Sequence, residues 1–144
     1  MDLGPIFIDH IGIATNSLDE GSKFWELLGL TNKLPDDLVE DQGVITRFFE
    51  TSQPNIGDSK VPLIELLEPT SEDTPIGKFI AKKGVGIQQL CFRVQNLELA
   101  ISHLVNNGIR MIDEKPRKGS HGALIAFVHP KSTGGVLVEL TQRQ

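Results

Sequence analysis

Ile8-Asp9-His10-Ile11-Gly12-Ile13 and Ile87-Gln88-Gln89-Leu90-Cys91-Phe92 fall over one another when the sequence is shifted by 79 positions, and the register then continues without a gap. Leu18 lands on Leu97, Asp19 on Glu98, Gly21 on Ala100, Trp25 on Leu104, Gly29 on Gly108 and Leu30 on Ile109. A second match, at a shift of 74, lays Leu63-Ile64-Glu65-Leu66 over Leu137-Val138-Glu139-Leu140. A strand, a turn, a helix and its terminating glycine thus repeat together, which implies two modules of about seventy residues each.

Local signals agree with that division. Ser17-Leu18-Asp19-Glu20 has the pattern of a capping box, and the helix it opens runs to Gly29. Its counterpart starts at Asn96, buries Leu97, Ala100, Ile101, Leu104 and Val105 at helical spacing, and stops at Gly108. Between the modules, Thr74-Pro75 reads as a cap and first helical residue, and Lys82-Lys83-Gly84 as a cationic end and stop. The apolar runs 43–50, 61–68, 123–129 and 135–141 read as strands, separated by polar loops such as 52–60. We therefore expect an α+β fold of two tandem β-α-β-β-β modules, forming a curved mixed sheet around a shared metal cleft. Module one covers 5–70, a connector helix 74–84 and module two 85–142.

Composition narrows the function. A chain of 144 residues, 39% hydrophobic, can build a core without disulfides or structural zinc, and its one cysteine forms no internal bridge. No apolar run reaches the ~18 residues that span a bilayer, and the polar Met1-Asp2-Leu3-Gly4 start has no basic n-region, so a cytoplasmic protein without a membrane partner is expected. The net charge of −5 disfavours nucleic acid as a partner.

Four polar residues interrupt apolar strands at repeat-equivalent positions: His10 and Gln89 in the first strands, Glu65 and Glu139 in the last. A single strand glutamate ordinarily points to solvent, but a matched pair accompanied by an imidazole and an amide suggests a donor set for a divalent cation, whether Co, Mn, Ni, Zn or Mg. Gln88 competes with Gln89 for the fourth position; strand alternation forbids both from facing one side.

The segments Ile8 to Ala14, Ile64-Glu65-Leu66-Leu67-Glu68-Pro69, Pro75-Ile76-Gly77-Lys78-Phe79 and Phe127-Val128-His129-Pro130-Lys131-Ser132-Thr133-Gly134-Gly135 through Leu140 resemble the methylmalonyl-CoA epimerases, over nearly the whole chain. Those enzymes lie in the vicinal-oxygen-chelate superfamily, with glyoxalase I, extradiol dioxygenases and bleomycin-resistance proteins. The resemblance implies metal ligation by His10, Glu65, Gln89 and Glu139, with Glu139 also an acid/base. It further implies an acyl-CoA substrate, deprotonated alpha to the thioester through a metal-stabilised enolate. Glu65 is the expected second acid/base, because Thr46 stands where some bacterial epimerases carry a glutamate. Gly86-Ile87-Gln88-Gln89 likewise replaces the usual Gly-Ile-His-His. Lys131, Ser132 and His121 are expected substrate contacts, with Lys115, Arg117 and Lys118 as further candidates for CoA phosphates. A homodimer is expected from the same resemblance. Two alternatives stand beside this one: a glyoxalase I-type lactoylglutathione lyase, and a metal-free drug-binding resistance protein.

Overall fold

Each helix begins and ends where a side chain or a glycine satisfies backbone groups that the helix itself cannot. The computed structural model describes residues 2–32, 34–51 and 62–143. Helix α1 (Leu18–Leu28) is capped by Ser17, whose Oγ accepts from the Glu20 N–H at 3.3 Å. The Glu20 carboxylate accepts from Lys23 Nζ at 3.1 Å, and the Leu18 N–H is taken by Glu68 Oε1 at 2.8 Å. Helix α3 (Leu97–Asn106) repeats the arrangement: Asn96 Oδ1 accepts from Leu99 N, and Gln142 Oε1 accepts from Leu97 N at 2.7 Å. Both helices finish alike. Gly29 and Gly108 take φ of +104° and +84°, and the next residues, Leu30 and Ile109, donate back to Trp25 and Leu104 at 3.0 Å each. Only glycine enters that left-handed region without steric cost. Helix α2 (Pro75–Lys83) has Thr74 as its cap and stops at Gly84, as the sequence predicts.

The chain forms two compact units, one of His10–Gln88 and one of Met1–Asp9 with Gln89–Gln144. In the first, residues His10–Ala14 of strand β1 (Phe7–Ala14) pair in parallel with β4 (Leu63–Pro69); β3 (Val44–Glu50) lies antiparallel to β4, and β2 (Asp37–Val39) antiparallel to β3. In the second, residues Leu90–Arg93 of β5 (Gly86–Arg93) run parallel to β8 (Val138–Gln142), with β7 (Leu124–Val128) and β6 (Arg117–Lys118) following antiparallel. Both units therefore have the mixed β-α-β-β-β order, and the α+β class holds. The two-residue β6 and three-residue β2 are too short to show alternation. The expected loop 52–60 and the start of the expected strand at 61 lie outside the described residues. The last expected strand begins late, at Val138, because 130–136 is folded into a turn: the Thr133 hydroxyl bonds the Pro130 and Val136 carbonyls, and Gly135 N donates to Pro130 O.

Alternation sorts the side chains by face. In the first unit Leu18, Phe49 and Leu66 pack with Ile13, Trp25, Ile45 and Ile64 under α1. Ala14, Val44 and Leu67, one step along each strand, pack with Val39, Ile76, Phe79 and Ile80 under α2. The two helices thus cover opposite faces of one sheet. In the second unit α3 buries Leu97, Ala100 and Ile101 against Ala126, Val128 and Leu140. Each fully buried Leu or Phe, such as Leu97 and Phe49 at 0% exposure, contributes about 1.5–3 kcal/mol. No helix among the described residues is long and apolar enough to cross a membrane.

Candidate active site

The faces turned away from α1 and α3 carry the four repeat-matched polar residues. In the first unit His10 and Glu65 share the parity of Ala14 and Leu67, and both are 4% exposed. His10 Nε2 lies 3.1 Å from Glu65 Oε1. The imidazole stands edge-on to Phe48, with ring centroids 5.5 Å apart, and Phe48 faces Glu65 in the β3–β4 register. Thr46, on the same face of β3, is 1% exposed, and its hydroxyl donates to the Asp37 carbonyl at 3.5 Å.

The second unit repeats this with an amide in place of the imidazole. Gln89 and Glu139 are 6% and 5% exposed, and Gln89 Nε2 donates to Glu139 Oε1 at 3.0 Å. Phe127 faces Glu139 in the β7–β8 register, as Phe48 faces Glu65. Gln88 is only half-buried. Each unit therefore holds a repeat-matched carboxylate, Glu65 or Glu139, away from water and beside a nitrogen donor. Removing a carboxylate from water is costly unless it is paired or bound to a cation. Imidazole, amide and carboxylate are the hard to borderline ligands that Mg, Mn, Co, Ni and Zn accept, so the residues present fit a divalent ion.

The expected substrate contacts fall in two places. Lys131 and Ser132 lie in a 3-10 turn after β7: Lys131 is exposed and its N–H donates to His129 Nδ1, while Ser132 Oγ accepts from Arg110 N at 2.9 Å. His121 lies before β7, so the strand, roughly 15 Å long, separates it from them. It is exposed and has φ +54°, the single positive φ outside glycine among the described residues. Of the basic residues expected in a loop, Arg117 and Lys118 instead form β6, and Arg117 is 3.3 Å from Asp113 and lies over the Phe127 ring at 5.7 Å.

The sequence reading passed over Asp9. It is 2% exposed and held by two arginines: Arg93 Nε and Nη2 donate to Oδ1 at 2.9 and 2.6 Å, and Arg143 Nε and Nη2 donate to Oδ1 and Oδ2 at 2.8 Å each. The signal available was a charge between Ile8 and His10 in an apolar strand. Its partners are 84 and 134 residues away.

Comparison with known proteins gives this geometry a family. Residues 9–127 match the model of the glyoxalase/bleomycin resistance protein/dioxygenase superfamily. The chain is 37% identical over 136 residues to an uncharacterized protein of Bacillus subtilis, covering 94% of this chain and 91% of that one. It is 34% identical over 145 residues to the mitochondrial methylmalonyl-CoA epimerase of Bos taurus, covering 96% and 78%. Among solved structures, a Streptomyces coelicolor methylmalonyl-CoA epimerase variant in complex with 2-nitronate-propionyl-CoA superposes with a TM-score of 0.87 at 34% identity, over 94% of this chain and 96% of that one. The chain belongs to the methylmalonyl-CoA epimerase family, isomerases within the glyoxalase/bleomycin resistance protein/dioxygenase superfamily.

Proposed function

We propose that the protein epimerises methylmalonyl-CoA, with Glu139 and Glu65 as the two proton-transferring groups. The observation that carries this reading is the pair of buried carboxylates at repeat-equivalent positions, each beside a nitrogen donor. Inverting the carbon between a thioester and a carboxylate requires a base on one face and an acid on the other. One carboxylate takes the proton from carbon and the other, as the acid, delivers a proton to the opposite face, so the enzyme's total proton count is unchanged. Thr46 cannot replace either group, because a buried hydroxyl donating to a carbonyl is no base near neutral pH. The apolar walls supplied by Phe48 and Phe127 keep water from competing for these protons.

His10, Glu65, Gln89 and Glu139 are the residues we assign to hold a divalent ion, two from each unit. When bound, such an ion supplies Lewis-acid stabilisation of the negative charge that develops on substrate oxygen. Lys131, Ser132 and His121 are assigned to substrate binding. A homodimer and a cytoplasmic location complete the reading; the single cysteine suits a reducing compartment.

The test is isotope exchange. Metal-loaded protein incubated with one methylmalonyl-CoA epimer in deuterated water should yield the other epimer carrying deuterium. Glu139→Gln and Glu65→Gln, each checked for metal content, should stop inversion while leaving exchange with retention from the intact side. Absence of exchange in the wild type would overturn the proposal, and turnover of a glutathione hemithioacetal instead would favour the glyoxalase I-type alternative.

A further inference from the structure

Strand parity gathers three basic side chains on the Glu139 face of the second unit. Met111 and Val128 face each other across an antiparallel bridge, and both are buried under α3. Arg110 and His129, the next pair across that bridge, therefore stand side by side on the opposite face, the one that carries Phe127 and Glu139. The His129 N–H donates to the Arg110 carbonyl at 2.9 Å, and the Arg110 N–H donates to Ser132 Oγ at 2.9 Å, so the turn after β7 is held against Arg110. Lys131 lies in that turn, and its N–H donates to His129 Nδ1 at 3.1 Å. Desolvation and the charges of Arg110 and Lys131 lower the His129 pKa from its ordinary 6.5, which keeps the ring neutral. A neutral imidazole that accepts at Nδ1 carries its proton on Nε2, as a donor. The chain has 19 Asp and Glu against 14 Lys and Arg, yet the acids are kept away: among the described residues the Arg110 guanidinium, the Lys131 ammonium and His129 Nε2 have no hydrogen bond or ion pair.

We infer that Arg110, His129 and Lys131 form the subsite that holds the phosphates of CoA. The inference rests on the acyl-CoA reading and deepens it by naming where the non-reacting end of the substrate is bound. A phosphate offers several acceptor oxygens, and the three donors suit it in different ways: a guanidinium by two parallel bonds, an ammonium as a point charge and an imidazole by one N–H. Position separates this role from binding of the acyl carboxylate. That carboxylate is attached to the carbon that reacts, so it must lie at the buried Glu139. Phe127 is the residue opposite Glu139, and His129 is two residues further along, roughly 7 Å. Arg110 and Lys131 are exposed to solvent, as a site for a hydrated polyanion requires.

Calorimetric titration with two ligands tests this. Malonyl-CoA carries both the acyl carboxylate and the phosphates; malonyl-pantetheine keeps the carboxylate and lacks the phosphates. Each is titrated into metal-loaded wild type, Arg110→Gln, Lys131→Gln and Lys78→Gln, the last removing one exposed charge from α2 in the other unit. Arg110→Gln and Lys131→Gln should each weaken malonyl-CoA at least fivefold and leave malonyl-pantetheine as in wild type, which also shows that the variants are folded. Lys78→Gln should change neither ligand. Equal weakening of both ligands would place the acyl carboxylate, not a phosphate, on these residues and overturn the inference. Unchanged affinity for malonyl-CoA, or the same loss in Lys78→Gln, would overturn it as well. Deuterium exchange into methylmalonyl-CoA is read separately: a wild type that exchanges but binds malonyl-CoA no better than malonyl-pantetheine refutes the subsite and leaves the epimerase reading standing, whereas neither exchange nor malonyl-CoA binding refutes both.

Discussion

Replacing Glu68 by alanine removes the acceptor that closes the first turn of α1. The bond is short, 2.8 Å from Oε1 to Leu18 N, and joins residues 50 apart in sequence, so it ties the helix to the last strand of its own module. A hydrogen bond to a charged group contributes about 1.5–3 kcal/mol, and a carboxylate at the positive end of a helix adds about 0.3–1 kcal/mol. Water reaching the partly exposed site recovers some of this, leaving an expected loss of about 2 kcal/mol. For a domain of this size that is a fall in Tm of roughly 6–8 °C. Glu68→Gln keeps an oxygen acceptor but not the charge and should lose about half as much. Gln142→Ala, at the equivalent bond to Leu97 N, removes only a neutral acceptor and should cost about 1 kcal/mol. Urea unfolding followed by circular dichroism measures all three, with constant m-values confirming a common unfolded state. If Glu68→Ala lies within about 0.5 kcal/mol of wild type, or Gln142→Ala costs more than Glu68→Ala, the capping argument fails.

Three other outcomes follow. Gly77→Ala should destabilise despite alanine's advantage in helices of about 1 kcal/mol, because its Cβ would lie 2.4 Å from the Ser71 carbonyl oxygen and 2.8 Å from that of Glu72; thermal unfolding reads the sign. Desolvation, with Arg110 and Lys131 nearby, lowers the His129 pKa from its ordinary 6.5, and its Nδ1 accepts the Lys131 N–H. A group whose folded pKa is depressed contributes stability above the unfolded value, lost as pH falls through the folded one, so wild type should weaken relative to His129→Asn from pH 6.5 downward. Gln89→His should retain or tighten divalent metal, measured by equilibrium dialysis, and loss of metal in that variant would remove Gln89 from the ligand set.

Much of the architecture was legible because its punctuation is local. Ser17, Asn96, Thr74, Gly29 and Gly84 act on residues within four or five positions, and their chemistry can be read without knowing the fold. The repeat then aligned His10 with Gln89 and Glu65 with Glu139, and in each unit the structure brings the nitrogen donor to its own carboxylate. What escaped reading depends on distant partners. Strands β2 and β6 exist because β3 and β7 pair with them, and Glu68 and Gln142 look like ordinary strand-end polar residues until the helix ends are placed above them. Asp9 is the clearest case: nothing within the first strand announces two arginines that come from β5 and from beyond β8.

That pairing also sets an order of events during synthesis. Residues Met1–Asp9 belong with Gln89–Gln144, while the His10–Gln88 stretch forms a unit from what is translated in between. Leu3 packs on the core under α3, and Asp9 meets Arg143. At about 5–20 residues per second, the 134 residues separating that pair take roughly 7–27 s to be made. Within this interval residues 10–88, the whole of the other unit, are made before Arg143. Asp9 can thus pair with Arg93 before Arg143 exists to share its charge.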